Sequence, residues 1–171
     1  MDIRSLIREI PDYPQPGVSF KDITTVLKDP QALQYVVREM ARRFRDKGID
    51  VIVGVESRGF IFGAPLAYEL GLGLVLVRKP GKLPAEKIQV EYELEYGTDT
   101  LEIHKDAIQP GQRVLIVDDL LATGGTISAA AKLVEQLGGE VVGYTFLIEL
   151  AYLGGRRKLG NQEIASLVIY D

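Results

Sequence analysis

Cysteine is absent from this chain of 171 residues, and histidine occurs only once, as His104. A disulfide framework and a thiolate metal site are therefore excluded. A metal site built from several imidazoles is excluded for the same reason. The lack of cysteine fits a reducing compartment, and we expect a cytoplasmic protein.

Long apolar runs and an excess of basic residues are also missing. No apolar stretch is long enough to span a bilayer, and the first 13 residues lack the apolar core of a signal peptide. The net charge of −4 offers no basic surface for nucleic acid. We therefore expect neither a membrane nor a nucleic-acid partner. The length favours one domain over residues 1–171.

Apolar strand patterns alternate with amphipathic helix patterns along most of the chain. Such alternation predicts an α/β fold with a mostly parallel, twisted sheet flanked by helices. Asp29 followed by Pro30 is typical of a helix start. The predicted helices cover residues 1–10, 59–70 and 127–137 and a segment that begins at Pro30. The predicted strands cover residues 51–55, 74–77, 113–117, 141–148 and 164–170, and the first of them is expected to be buried.

One segment alternates strictly between apolar and polar residues, from Lys87 to Tyr96. This period of two predicts a half-exposed strand. The sequence Gly97-Thr98-Asp99 can turn the chain into a partner strand that contains Leu101 and Ile103. We therefore expect a β-hairpin with one exposed face.

The most informative segment is residues 114–126, which read VLIVDDLLATGGT. Its apolar run is typical of a strand buried on both faces, and a helical pattern follows Thr126. Amides at a helix start bind phosphate with help from the helix dipole, and glycines allow a close approach. The carboxylates of Asp118 and Asp119 suit sugar hydroxyls or a hydrated Mg²⁺. The segment therefore predicts a site for a phosphorylated sugar.

A second loop with charged residues follows another predicted strand. It reads Glu56-Ser57-Arg58-Gly59 and comes directly after residues 51–55. Ligands of parallel sheets bind beyond the carboxyl ends of the strands, so both loops should meet at one edge. Two anion-binding loops at one edge suit a substrate that carries two separate phosphate groups.

Residues 114–126 resemble the ribose-phosphate signature of the type I phosphoribosyltransferase family. The segments PDYPQPGVSFKDIT (11–24), VESRGFIFG (55–63), VRKPGKLP (77–84) and LEYGTDTLEIHKDAIQPGQRV (94–114) extend this resemblance toward the adenine-specific members. The resemblance implies a Rossmann-like core with a flexible β-hairpin hood. Residues 1–28 and 80–104 would form base-binding and hood segments, and residues 49–79 and 105–171 would form the core.

The activity implied by this resemblance is transfer of ribose 5-phosphate from phosphoribosyl pyrophosphate to N9 of adenine, which gives AMP and pyrophosphate. Mg²⁺, bound mainly through the substrate, and a homodimer are further implications. One alternative is a sister enzyme acting on hypoxanthine, guanine or xanthine. Another is a regulator of the same fold that senses phosphoribosyl pyrophosphate and binds DNA, but the chain shows no basic DNA-binding segment.

The resemblance also assigns the residues that hold the ribose 5-phosphate. Asp118 and Asp119 would face the ribose hydroxyls. Adjacent strand residues point to opposite sides, so either acid could instead make a backbone or loop-capping contact. The 5′-phosphate would bind to the backbone amides and hydroxyls of Ala122, Thr123, Gly124, Gly125 and Thr126.

The pyrophosphate ligands implied by the resemblance come from two loops. They are Glu56, Ser57, Arg58, Arg78, Lys79 and Lys82. The Glu56–Ser57 peptide bond would be cis, as is common at this loop in the family. For each basic residue the alternative is an ordinary solvated or ion-paired surface charge.

The adenine-binding residues implied by the resemblance are Ser19, Phe20, Lys21 and Tyr96. Phe20 would stack on the base, although a buried Phe is usually part of the core. Backbone groups of Ser19 and Lys21 would read the base edge, and Tyr96 would cover the ribose or base. Glu95 would hold the proton at adenine N7, although Glu91 and Glu93 share its polar side and suggest a solvated face.

Overall fold

The computed structural model describes residues 1–94 and 96–171. Nine strands and four α-helices follow one another in the described parts of the chain. The strands are β1 (Arg8–Ile10), β2 (Phe20–Asp22), β3 (Val51–Val55), β4 (Gly73–Val77), β5 (Lys87–Glu93), β6 (Thr98–His104), β7 (Arg113–Leu121), β8 (Glu140–Leu150) and β9 (Glu163–Tyr170). The helices are α1 (Thr24–Leu27), α2 (Pro30–Phe44), α3 (Arg58–Leu70) and α4 (Gly125–Gln136).

A five-stranded sheet forms the centre of the molecule, with strand order β4-β3-β7-β8-β9. Every neighbouring pair in this sheet is parallel. The middle strands are nearly continuous runs of Val, Ile and Leu because both of their faces are covered. The predicted α/β fold with a parallel sheet is confirmed.

Helices and a hairpin cover the two faces of the sheet. Helices α2 and α3 pack on one face together with the N-terminal residues, in a core that includes Phe44 and Phe62. Helix α4 packs on the other face, in a core that includes Val134 and Phe146. Helix α2 begins as predicted, because Asp29 accepts hydrogen bonds from the amides of Gln31 and Ala32.

Strands β5 and β6 form the predicted antiparallel hairpin apart from the central sheet. The apolar side of β5 packs toward the core that contains α4, and its polar side faces solvent. The backbone of Arg78 exchanges two hydrogen bonds with the backbone of Glu102, which fixes the hairpin beside β4. The hairpin therefore projects from the same edge of the sheet as the carboxyl ends of the strands.

Two local predictions are wrong. Residues 1–10 do not form one helix: only Arg4–Leu6 make a 3₁₀ turn, and β1 pairs with β2. Strand β7 also continues past Val117 to Leu121, so the two acids lie inside it. Strand β7 is longer because β8 pairs with it up to Leu121, a long-range partner that a local pattern does not reveal. None of the described helices combines the length and apolarity of a membrane span.

Candidate active site

A cavity of about 430 Å³ opens where β3 and β7 lead into α3 and α4. The two loops predicted to bind anions both face it. The residues that line it are Glu56, Ser57, Arg58, Lys79, Asp118, Asp119 and 120–127. The structure thus brings together the predicted sugar-phosphate segment and most of the second predicted anion loop.

The loop between β7 and α4 presents a helix start to this cavity. Gly124 precedes the helix with φ of 86°, a left-handed conformation that favours glycine, and no described side chain caps the helix there. The first amides of α4 have no carbonyl partner within the helix. They and the positive end of the helix dipole can therefore receive an anion.

The two acids lie next to the second loop because of the sheet register. Val117 of β7 pairs with Gly54, and β3 ends one residue later. Asp118 and Asp119 therefore extend past β3 and come beside the start of α3. The approach is tight: a Cβ atom added to Gly59 would lie 2.8 Å from the carbonyl oxygen of Val117 and 3.2 Å from Oδ1 of Asp118. Only glycine fits there.

Asp119 is buried and paired with the second loop. Nε of Arg58 donates a hydrogen bond to its Oδ2 over 2.6 Å. This carboxylate raises the pKa of Arg58 above its ordinary value. The ion pair joins the strand that carries the acids to the helix that follows the other loop, so the two predicted half-sites form one unit.

Asp118 is in a different electrostatic situation. Burial raises the pKa of Asp118 well above its ordinary value, and the nearby charge of Asp119 raises it further. One oxygen of Asp118 accepts a hydrogen bond from the amide of Asp119 over 2.8 Å. Two neighbouring acids with such different surroundings have different chemical properties, with one carboxylate paired to a cation and the other more readily protonated.

The loop after β3 has the backbone geometry that the family resemblance implied, since the Glu56–Ser57 peptide bond is cis. Glu56 accepts a hydrogen bond from Nε of Arg78 and another from the amide of Lys79, each over 3.0 Å. Burial acts to raise the pKa of Glu56, but these contacts more than offset it and the pKa is lowered. Glu56 thus fixes the backbone and side chain that follow β4.

The three basic residues after β4 are placed differently. Lys79 lines the cavity, and its ammonium group contacts the carboxylate of Asp99 on the hairpin. Burial acts to lower the pKa of Lys79, but its contacts with Asp99 and Tyr92 outweigh this and raise it. Arg78 and Lys82 are not among the described residues that line the cavity.

Strand β5 contributes one residue that the sequence analysis did not identify. The hydroxyl of Tyr92 lies 3.2 Å from Oγ1 of Thr126 and 3.4 Å from Oδ2 of Asp99. The hairpin is therefore attached both to the phosphate loop and to the Lys79 contact. Tyr92 stands on the apolar side of the alternating pattern, which indicates a core position, so only its hydroxyl group could have signalled this role.

The predicted adenine-binding residues lie outside the described cavity lining. Phe20 is 37% exposed and makes an edge contact with Tyr13, with ring centroids 5.2 Å apart, so it is not a core residue. Lys21 donates to Glu9 over 2.6 Å and to the hydroxyl of Ser19 over 3.1 Å. Tyr96 is 89% exposed. Glu95 lies outside the described residues.

Three carboxylates line the cavity, and because that of Glu56 is bonded to Arg78 and Lys79, those of Asp118 and Asp119 are the better candidates to lie near a Mg²⁺ ion. Among residues 1–94 and 96–171, no group of three or more His, Cys, Asp or Glu is placed to share a metal ion. Mg²⁺ commonly binds one or two carboxylates together with substrate phosphates and keeps several waters. Asp118 and Asp119 at the cavity wall fit that arrangement.

Comparisons with known proteins agree with one another. A family model described as a phosphoribosyl transferase domain matches residues 22–160. The chain is 63% identical to an adenine phosphoribosyltransferase of Alkaliphilus oremlandii, over 100% of this chain and 99% of that one. A crystal structure of adenine phosphoribosyltransferase from Thermoanaerobacter pseudethanolicus has a TM-score of 0.95 and 60% identity, covering 99% of this chain and 98% of that chain. The Saccharomyces cerevisiae enzyme was crystallised with adenine and an imino-altritol bisphosphate, and its structure has a TM-score of 0.91 and 43% identity, covering 97% of this chain and 96% of that chain.

Proposed function

Because this chain belongs to the adenine phosphoribosyltransferase family, we propose that it transfers ribose 5-phosphate from phosphoribosyl pyrophosphate to N9 of adenine. The products are AMP and pyrophosphate. The proposal depends on one observation: the helix start of α4, the two acids, Arg58 and Lys79 all line the same cavity. A substrate with a phosphate at each end of a ribose needs such a site.

The loop 122–126 holds the 5′-phosphate in this reaction. Its amides and the hydroxyls of Thr123 and Thr126 supply hydrogen-bond donors at the start of α4. Asp118 and Asp119 accept hydrogen bonds from the ribose hydroxyls. These contacts fix the furanose ring, which matters because C1′ passes through an oxocarbenium-like state that needs positioning more than a protein nucleophile.

The pyrophosphate leaves toward the second loop. Ser57, Arg58 and Lys79 line the cavity. The amide of Ser57 and the cationic groups of Arg58 and Lys79 bind the pyrophosphate and oppose its negative charge. Glu56 acts indirectly in this scheme, because its carboxylate orients Arg78 and Lys79. Arg78 and Lys82 reach the pyrophosphate when the segment after β4 closes over the substrate.

Mg²⁺ is the cofactor in this proposal. It would be bound mainly through the pyrophosphate and ribose oxygens of the substrate, with no direct protein ligand, and Asp118 and Asp119 would lie near its bound waters. When bound, it neutralises part of the charge that develops on the leaving group.

The base binds against the segment that contains β2. The exposed ring of Phe20 stacks on adenine, and backbone groups of Ser19 and Lys21 contact the base edge. Tyr96 covers the ribose or base from the hood. Glu95 holds the proton at N7 while N9 attacks C1′, acting as a general acid–base group.

The absence of cysteine is consistent with a cytoplasmic location for this enzyme.

The outer surface is consistent with assembly as a homodimer. Ile61 and Tyr68 on the outer face of α3 are exposed, and so is Leu76 on the neighbouring edge strand β4. A second copy that covers this apolar patch would remove it from water.

A spectrophotometric assay tests the proposed function. Purified protein is incubated with phosphoribosyl pyrophosphate, Mg²⁺ and one of four bases: adenine, guanine, hypoxanthine or xanthine. We expect nucleotide formation with adenine and a kcat/KM for the other bases lower by at least about 100-fold, since unpaired polar groups reject a wrong base. Turnover of another base at a similar rate contradicts adenine specificity, and turnover of none contradicts the enzymatic role.

A further inference from the structure

A buried acid lies behind the phosphate loop. Glu149 of β8 is only 3% exposed and pairs across the sheet with Leu121, the last residue of β7. The phosphate loop begins directly after Leu121. A carboxylate in such a position is costly unless its oxygens are paired. Its partners therefore indicate which part of the molecule it holds in place.

Two side chains satisfy the carboxylate of Glu149. Arg156 donates from Nε to Oε2 over 2.6 Å and from Nη2 to Oε1 over 2.8 Å. Ser166 of β9 donates from Oγ to Oε1 over 2.7 Å. Burial acts to raise the pKa of Glu149, but these bonds more than offset it and the pKa is lowered. The acid thus stays ionised and holds Arg156 through a two-point contact.

Arg156 belongs to the short turn Gly155–Lys158, and the first residue of that turn touches the phosphate loop. A Cβ atom added to Gly124 would lie 2.6 Å from the carbonyl oxygen of Gly155. A Cβ atom added to Gly155 would lie 2.5 Å from the carbonyl oxygen of Ala122. Gly155 is not among the described residues that line the cavity, so it supports the loop from behind.

We propose that Glu149, Arg156 and Ser166 are positioning residues that hold the turn 155–158 against the loop 122–126. They thereby set where the loop amides meet the 5′-phosphate of the substrate. This inference rests on the proposed function, because it takes the loop as the 5′-phosphate site. Arg58 and Lys79, on the pyrophosphate side, belong to other elements. Loosening the contact between the turn and the loop should therefore weaken the binding of ligands that carry a 5′-phosphate monoester. The binding of pyrophosphate should not change.

The test uses Glu149→Gln and Arg156→Met, with Arg157→Met as the matched control from the same turn. The dissociation constants of AMP and of inorganic pyrophosphate are measured by calorimetry, and thermal melts check folding. We expect AMP to bind about tenfold more weakly to each of the first two variants, since small misplacements have large effects. We expect pyrophosphate affinity in both, and AMP affinity in the control, to stay within about twofold of wild type.

The double variant separates a shared role from two independent ones. The double variant, Glu149→Gln with Arg156→Met, leaves no unpaired buried charge. If the two residues act together, it should lose no more AMP affinity than the single variant that binds AMP more weakly. The positioning role is overturned if AMP and pyrophosphate lose equal affinity, or if folded variants keep the AMP affinity of the wild type. The proposed function is not affected by either result. A wild-type protein that fails to bind AMP overturns the proposed function, and this inference with it.

Discussion

Asp118 shows how the needs of folding and of chemistry conflict at a single residue. Burial, with the charge of Asp119, raises its pKa. A carboxyl group whose pKa is higher in the folded than in the unfolded protein makes its full contribution to stability below the unfolded-state pKa of about 4. That contribution is lost as the pH rises through the folded pKa. Near neutral pH the free energy of unfolding is therefore lower than it would be without the raised pKa of Asp118.

We therefore expect Asp118→Asn to have a larger free energy of unfolding than the wild type at pH 7, because the amide carries no charge whose burial is unfavourable. Urea unfolding measured from pH 4 to pH 8 should show this difference growing with pH. AMP formation should fall sharply in the same variant. Equal stability across the whole pH range would contradict the account of this carboxyl, and the exposed Asp46→Asn serves as control.

The exposed fraction of Phe20 decides between a core residue and a residue that stacks on the base. A ring that is 37% exposed and makes a T-shaped contact with Tyr13 has exposed surface on which a base can stack. We expect Phe20→Ala to weaken adenine binding by about 1–3 kcal/mol, the scale of a lost base–aromatic stack. Calorimetric titration with adenine measures this. Unchanged affinity would place the base elsewhere, and Tyr152→Ala, another exposed aromatic, is the control.

Among the elements, the β5–β6 hairpin has a specific electrostatic link to the cavity. Asp99 of the hairpin contacts the ammonium group of Lys79, which lines the cavity. A bound pyrophosphate must therefore compete with Asp99 for this cation. The hydroxyl of Tyr92 lies near both Asp99 and Thr126, so the same hairpin also reaches the phosphate loop.

Removal of this competition should strengthen pyrophosphate binding. A partly exposed ion pair contributes about 0.2–1 kcal/mol. We therefore expect Asp99→Asn to bind inorganic pyrophosphate up to about fivefold more tightly, on the same scale. Glu91→Gln, an exposed acid on the same hairpin, should show no change. Weaker binding by Asp99→Asn would mean that Asp99 instead holds Lys79 in the productive position.

The elements show what a single sequence can and cannot predict. The five strands of the central sheet, the Asp29 cap and the hairpin follow from local periodicity and turn chemistry, and these elements were predicted. The end of β7 was not, because pairing with β8 decides it. The ion pairs Arg58–Asp119 and Arg78–Glu56 join distant parts of the chain, and a pattern of spacing carries no information about such partners.

At the scale of the whole molecule, three of the exposed large apolar side chains lie on the neighbouring elements α3 and β4. Tyr68 on α3 is 90% exposed, and Ile61 on the same face of α3 and Leu76 on β4 are also exposed. We expect the wild type to behave as a dimer in light scattering coupled to size-exclusion chromatography. Tyr68→Glu should shift it toward monomer because a charge on a dimer seam is costly to bury. A monomeric wild type would contradict the homodimer, and Tyr152→Glu is the control.

The residues of the cavity were predicted better than the side-chain contacts that hold them in place. The sequence placed 118–126 and 56–58 at one sheet edge, and the structure places both at one cavity. The buried contact of Glu149 with Arg156 escaped prediction, because an acid within an apolar strand gives no sign of its partner. Tyr92 escaped it because an aromatic residue on an apolar strand face is the usual sign of a core position.

A crystal structure of the protein with AMP tests the central claim most directly. The account predicts the 5′-phosphate on the amides of residues 123–126, the ribose hydroxyls within hydrogen-bond distance of Asp118 and Asp119, and the base near Phe20. A nucleotide bound at another surface, or a phosphate turned toward Arg58 and Lys79, would contradict it.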